Sequence, residues 1–208
     1  MTDVIEKLSN LQTYPQELGI DLETEEGRFK WFLASILFSK RISADIAKST
    51  YREFEKEGLV TPDRITEAGW DKLVEVLDAG GYVRYDYSTA TTLLGIAGDL
   101  KEKYGSLETL YEQSKDTKDL EKRLQEFKGV GQTTVNIFLR DLKAMWGKAR
   151  PKISPPAIQV ASRLDLTNEQ LELPDVESAL VRINLEFCKR KRCSSCPVKE
   201  DCKEASAS

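Results

Sequence analysis

The chain contains no histidine. That absence removes histidine-based nucleophile triads, Cys2His2 zinc sites and imidazole acid–base catalysis, leaving Lys, Asp, Glu, Tyr, Ser, Thr and Cys for any chemistry. Long apolar runs are missing as well. The longest, around Trp31 to Phe38, is broken by Ser35 and falls far short of the roughly 20 residues a bilayer needs, so no membrane span is expected. The N-terminal Met-Thr-Asp-Val-Ile-Glu-Lys is polar and acidic where a secretory leader would be basic and then apolar. The expected setting is therefore the reducing cytoplasm. Two-residue alternation of apolar and polar side chains never extends beyond four residues, which argues against a sheet. Cysteine is scarce: there are four in 208 residues, all between positions 188 and 202.

What is present describes a globular chain. It is 40% hydrophobic and 32% charged with a mean hydropathy of -0.45, and it is long enough for one large or two small domains with a real core. Apolar residues recur at helical spacing. Phe29, Phe32, Leu33, Ile36 and Leu37 form one stripe. Ala90, Leu93, Leu94, Ala97 and Leu100 form a second, closed by Tyr104-Gly105. Val135, Phe138, Leu139 and Leu142 form a third. Thr61-Pro62-Asp63 and Leu173-Pro174-Asp175 read as helix starts with proline in the first turn. The expected fold class is all-α, with roughly ten short helices. Between Arg150 and Pro156 three prolines interrupt any helix and mark a linker. No internal repeat occurs, and the short Ala/Ser tail at the C-terminus is expected to be disordered.

Charge is distributed unevenly. The net formal charge is -4, yet residues 127 to 163 hold seven bases against Asp141 alone, and residues 188 to 203 hold six bases against Glu200 and Asp201. The first 27 residues reverse the balance, with seven acids against Lys7. Solvated helix faces would account for such runs. Two basic segments in an otherwise acidic chain also make an electrostatic footprint for phosphate.

The cysteines read Cys188-x4-Cys193-x2-Cys196-x5-Cys202. Four thiolates without histidine suit tetrahedral zinc or a [4Fe-4S] cube. Structural zinc more often uses two Cys-x2-Cys knuckles with a long loop between them, whereas a single knuckle flanked by lone cysteines favours iron–sulfur. Disulfides, with three possible pairings, are the remaining alternative and are disfavoured in a reducing compartment. Metal binding would present Lys189, Arg190, Lys191 and Arg192 on an ordered loop. Upstream, Phe127-Lys128-Gly129-Val130-Gly131-Gln132-Thr133 reads as a helix end, a glycine turn and a new helix start. Glycines at both turn positions let backbone amides approach a phosphate, and the following helix N-terminus adds its partial positive charge. An ordinary tight turn between helices is the competing reading.

These features together resemble the endonuclease III branch of the helix-hairpin-helix (HhH-GPD) DNA glycosylases. The resemblance runs from about Phe29 through Cys202, some five-sixths of the chain, and rests on the helix Phe32 to Ser39, the Gly80-Gly81-Tyr82 turn, the Gly129-Val130-Gly131 hairpin and the terminal cysteines. It implies a two-lobed fold with a cleft between a central helical domain, here residues 26–145, and a cluster domain built from residues 1–25 and 146–208. It also implies a [4Fe-4S] cluster on Cys188, Cys193, Cys196 and Cys202, with zinc the weaker alternative. The implied partner is double-stranded DNA, bound by a monomer that is cytoplasmic and nucleoid-associated when on DNA. Its backbone would be gripped by Lys128, Gly129, Gly131, Gln132 and Thr133, with Arg41, near the family's base-wedging glutamine, filling the hole left by a flipped base.

The departures bear on chemistry. Thr133 stands where the bifunctional lyases carry their Schiff-base lysine, and Ser154 stands where the family's essential aspartate precedes a short helix. The first gap in the cysteine cluster is also shorter than the family's. Thr133 has no amine with which to form an imine, and Ser154 carries no charge with which to stabilise an oxocarbenium-like centre. Displaced substitutes would be Lys128, Lys148 or Lys152 as amine and Asp141 as carboxylate, although each reads more readily as an ordinary residue, Asp141, flanked by Arg140 and Lys143, as an ion pair on a helix surface. Two functions follow as expectations. One is a DNA-binding repair protein of glycosylase descent with doubtful glycosylase or lyase activity. The other is an iron–sulfur interaction or sensing protein that keeps the fold as a scaffold.

Overall fold

Side-chain caps start most of the helices, and buried stripes hold them together. A computed structural model describes residues 2–204, with side chains from Val4 onward. The Ala/Ser tail, residues 205–208, lies outside the described residues. Twelve α-helices and no strand occur among the described residues, so the protein is all-α. Two of the twelve, α2 (Tyr14–Glu17) and α11 (Asn168–Leu171), are single turns too short to show a periodic stripe, which is why the sequence suggests fewer.

The chain packs as two units, Leu18–Pro151 and a second one made of Met1–Glu17 with Lys152–Ser208. The continuous unit contains α3 (Glu25–Phe38), α4 (Ala44–Lys56), α5 (Pro62–Ala79), α6 (Asp86–Lys103), α7 (Leu107–Gln113), α8 (Thr117–Gln125) and α9 (Gln132–Arg140). Thr24 caps α3 by accepting from the Gly27 amide at 3.0 Å, and Glu25 and Glu26 lie in its positive first turn. The expected stripe of α3 is buried throughout, with Trp31 beside it. Phe32 meets Phe138 of α9 at 5.0 Å and Phe127 at 6.2 Å between ring centroids. Thr61 caps α5, which starts at Pro62 as its sequence suggests. The end of α5 packs so closely on α4 that a Cβ at Gly80 would lie 2.3 Å from the Thr50 Cα.

Residues 18–25 and 146–151 belong with these central helices. Leu18 and Ile20 are buried, and Trp146 stacks on Tyr111 at 4.5 Å and meets Phe138 edge-on. Their apolar surface therefore fixes the unit boundaries at Glu17/Leu18 and Pro151/Lys152.

The second unit joins α1 (Thr2–Ser9) and α2 to α10 (Pro155–Arg163), α11 and α12 (Val176–Ile183). Its core is aliphatic: Val4, Leu8, Ala157, Val160, Leu171, Val176, Leu180 and Ile183, with Cys196 and Val198 at one end. Arg182 ties the N-terminal segment down. Its guanidinium pairs with Glu17 at 2.6 Å and Glu186 at 3.3 Å, donates to the Gln12 carbonyl at 2.6 Å and lies over the Tyr14 ring. No helix of the described residues is long and apolar enough to cross a membrane.

Candidate functional site

The last turn of α12 widens into a five-residue π turn, Asn184–Cys188, where Lys189 N–H donates to the Asn184 carbonyl at 2.9 Å. Two 3-10 turns follow, Cys193–Ser195 and Lys199–Asp201. Each cysteine thus sits at the edge of a tight turn. The Cys196 amide donates to the Cys193 carbonyl, the Lys199 amide to that of Cys196 and the Cys202 amide to that of Lys199. Lys191 adopts φ +52 to let the chain reverse between the first two cysteines.

All four cysteines line a single cavity of about 610 Å³, together with the apolar Val160, Ile183, Phe187 and Val198 and the charged Arg163. None is in a disulfide. Cys196 is buried and the other three half-buried. Burial pushes the Cys188 thiol up while the nearby Arg163 guanidinium pulls it down. Burial likewise raises the Cys196 thiol, and the other three thiols add to that rise. Among the described residues no three Cys, Asp or Glu side chains draw together tightly enough to hold one metal ion. Tetrahedral zinc would require sulfurs about 3.8 Å apart, from Zn–S bonds of ~2.3 Å.

The second candidate region is the turn between α8 and α9. Phe127 and Val130 anchor it in the core, and the Val130 amide closes the turn on the Phe127 carbonyl at 3.0 Å. Between and beyond these anchors Lys128, Gly129, Gly131, Gln132 and Thr133 are all exposed. Lys128 has no ion-pair partner among the described residues. The two glycines differ in kind. Gly129 has φ +92, and a Cβ there would lie 2.6 Å from Thr92 Oγ1, so local geometry demands glycine. Gly131 is extended, with nothing within 4 Å of the place a Cβ would take, and no side chain caps α9. Gln132 points its side chain along the surface to Gln125, Asn136 and Glu121. Arg41 is exposed on the connection between α3 and α4, without an ion-pair partner among the described residues.

Ser154 belongs to the other unit and begins α10. Pro155 and Pro156 occupy the first helical positions, so two of the amides that would face a ligand there are absent. The Ser154 amide donates to Glu177 Oε1 at 3.0 Å, and its buried hydroxyl has no hydrogen-bond partner. Glu177, buried on α12, is thus the carboxylate beside Ser154. Sequence reading misses it because 23 residues separate the two.

The displaced substitutes fare unequally. Lys148 is withdrawn as a free amine: its Nζ donates to the carbonyls of Tyr111 and Ser114, each at 2.7 Å, and lies over the Tyr111 ring at 4.4 Å. Asp141 is not on the surface, because it is buried in an ion pair with Arg140. Lys128 and Lys152 remain exposed. The chain matches no protein-family model and no curated protein sequence.

Proposed function

We propose that this chain is a DNA-binding protein of the helix-hairpin-helix glycosylase type, two-lobed, that grips the backbone of double-stranded DNA through residues 128–133 and carries a [4Fe-4S] cluster on its four cysteines. The observation that carries the DNA reading is the start of α9. There the uncapped helix N-terminus, the open space around Gly131 and the unpaired Lys128 combine partial positive charge, access and a full positive charge on one exposed turn. A phosphate oxygen approaching Gly131 would meet the first backbone amides of α9, with no Cβ in the way at that position. Arg41 is the candidate filler of a flipped-base gap.

The cluster reading is supported by the all-thiol donor set, with its single Cys-x2-Cys, and by the one cavity that those thiols share. Such a core would be held by Cys188, Cys193, Cys196 and Cys202, and would supply structural order and one-electron capacity.

The test is binding to a 20-base-pair duplex over a salt series. Replacing Gly131 with Asp places a carboxylate where the phosphate must sit. At least a tenfold loss of affinity is expected, with a salt slope reduced by about one phosphate contact. Unchanged affinity in a folded G131D variant overturns the reading. A second reading, an iron–sulfur interaction or sensing protein without base chemistry, is favoured by the commitment of Lys148 to carbonyls and by the absence of amine and carboxylate at Thr133 and Ser154.

A further inference from the structure

Arg163, the last residue of α10, stands in the wall of the cysteine-lined cavity and touches both ends of the loop that carries the cysteines. Its guanidinium lies beside Cys188 and pairs through Nε with Glu204 Oε2 at 3.1 Å. Its backbone carbonyl accepts from the Lys203 amide at 3.1 Å, one residue beyond Cys202. The side chain is only 22% exposed, whereas the other cations lining the cavity, Lys191 and Lys199, are exposed to solvent. The guanidinium is thus largely withdrawn from solvent, in a wall that it shares with the apolar Val160, Ile183, Phe187 and Val198 and with its ion-pair partner Glu204.

We propose that Arg163 is a positioning residue for the cysteine site: it latches the segment just beyond Cys202 to α10 and supplies a compensating positive charge near the sulfur of Cys188. The inference rests on the cluster reading above. Thiolate-bound iron–sulfur clusters are anionic and gain a further negative charge on reduction, so a guanidinium in the wall of the same cavity stabilises the reduced state more than the oxidised one. It also keeps the ligand oriented, because an outer partner that fixes a ligand slows its loss from the metal.

The experiment uses the full chain purified anaerobically. Iron and acid-labile sulfide are measured, then the decay of absorption near 400 nm in air with chelator, then the reduction midpoint. Arg163→Gln is expected to lose its absorption roughly tenfold faster than the wild type. Its midpoint is expected to fall, with the oxidised-to-reduced ratio at fixed potential changing about tenfold, which for a one-electron couple is ~59 mV. Arg163→Lys keeps the charge but not the planar fork, so it should restore most of the midpoint and little of the lifetime. Wild-type lifetime and midpoint in Arg163→Gln overturn the inference while leaving the cluster intact. Wild-type protein without iron and sulfide overturns the cluster reading instead, and this inference with it. Should Arg163→Gln fail to fold, Arg163→Lys decides: a shortened lifetime supports the latch, and an unchanged one overturns it.

Discussion

The two units are stabilised by different materials. The continuous unit, Leu18–Pro151, fills its interior with rings: Trp31, Phe32, Tyr51, Phe54, Tyr82, Phe127 and Phe138 are fully buried. The unit built from both chain ends buries valine, leucine, isoleucine and alanine, and at its far end the packing gives way to the cavity lined by four thiols. Aromatic side chains bury about 150–250 Å² each, so one interior is dominated by apolar area. The other is a thin aliphatic core extended by ion pairs such as Arg182 with Glu17 and by its cysteines. If the proposed cluster is bound there, the order of that unit depends on it.

The sharpest way to break this comparison is to damage each unit by its own material. Cys196→Ala removes a buried thiol that is part of the core and, on the proposed cluster reading, a ligand. It is expected to abolish iron retention and to unfold the end-built unit, since the truncation itself costs about 1–2 kcal/mol and the lost metal binding much more. All three tryptophans, Trp31, Trp70 and Trp146, lie in the continuous unit, so their emission should stay native while far-ultraviolet ellipticity falls. Gly27→Ala damages the other unit by sterics alone, because the new methyl would lie 1.6 Å from the Asp21 carbonyl oxygen. A loss of about 3 kcal/mol or more, read by tryptophan emission in denaturant, is expected with iron content retained. If ellipticity and tryptophan emission fail together in both variants, the two units do not differ as described.

A smaller effect separates the two hairpin glycines. Gly129→Ala forces a side chain into φ +92 and against Thr92, and should cost about 1–3 kcal/mol. Gly131→Ala meets open space in an extended conformation and should stay within about 0.5 kcal/mol of the wild type. Equal costs, measured by urea denaturation, would mean that Gly131 also serves the fold.

Much of this architecture is legible in the sequence for physical reasons. The stripe of α3 and that of Val135, Phe138, Leu139 and Leu142 are buried where the helical period puts them, the stripe of α6 is buried except for the half-buried Leu94, and Thr61-Pro62 opens α5, because caps and periodicity act within a few residues. What depends on distant partners is not legible. Lys148 looks like a free amine until the carbonyls ending α7 claim it, and Asp141 looks exposed until its helix end is seen to be buried with Arg140. Arg163 has no local signal at all, since its partners arrive from 25 and 41 residues downstream at Cys188 and Glu204. Thr133 and Ser154, by contrast, are single-residue identities that the sequence states outright.

Those two identities set the smallest expected effect, which is none. Covalent trapping on an abasic site with borohydride requires an uncharged amine able to reach the sugar carbon, an imine and its reduction. Thr133 supplies no amine, and Lys148 is held by three carbonyl oxygens and a ring face, so releasing it would break the end of α7. Lys128 and Lys152 are exposed, and a solvated lysine ammonium is a weak nucleophile at neutral pH. Trapping should therefore stay at the level of a control protein of similar lysine content, and Thr133→Ala should not change it. Efficient trapping that survives Lys148→Arg and disappears in Lys128→Arg would move the chemistry onto the α8–α9 turn, making the turn proposed to grip DNA the reactive one and erasing the distinction between gripping and cutting.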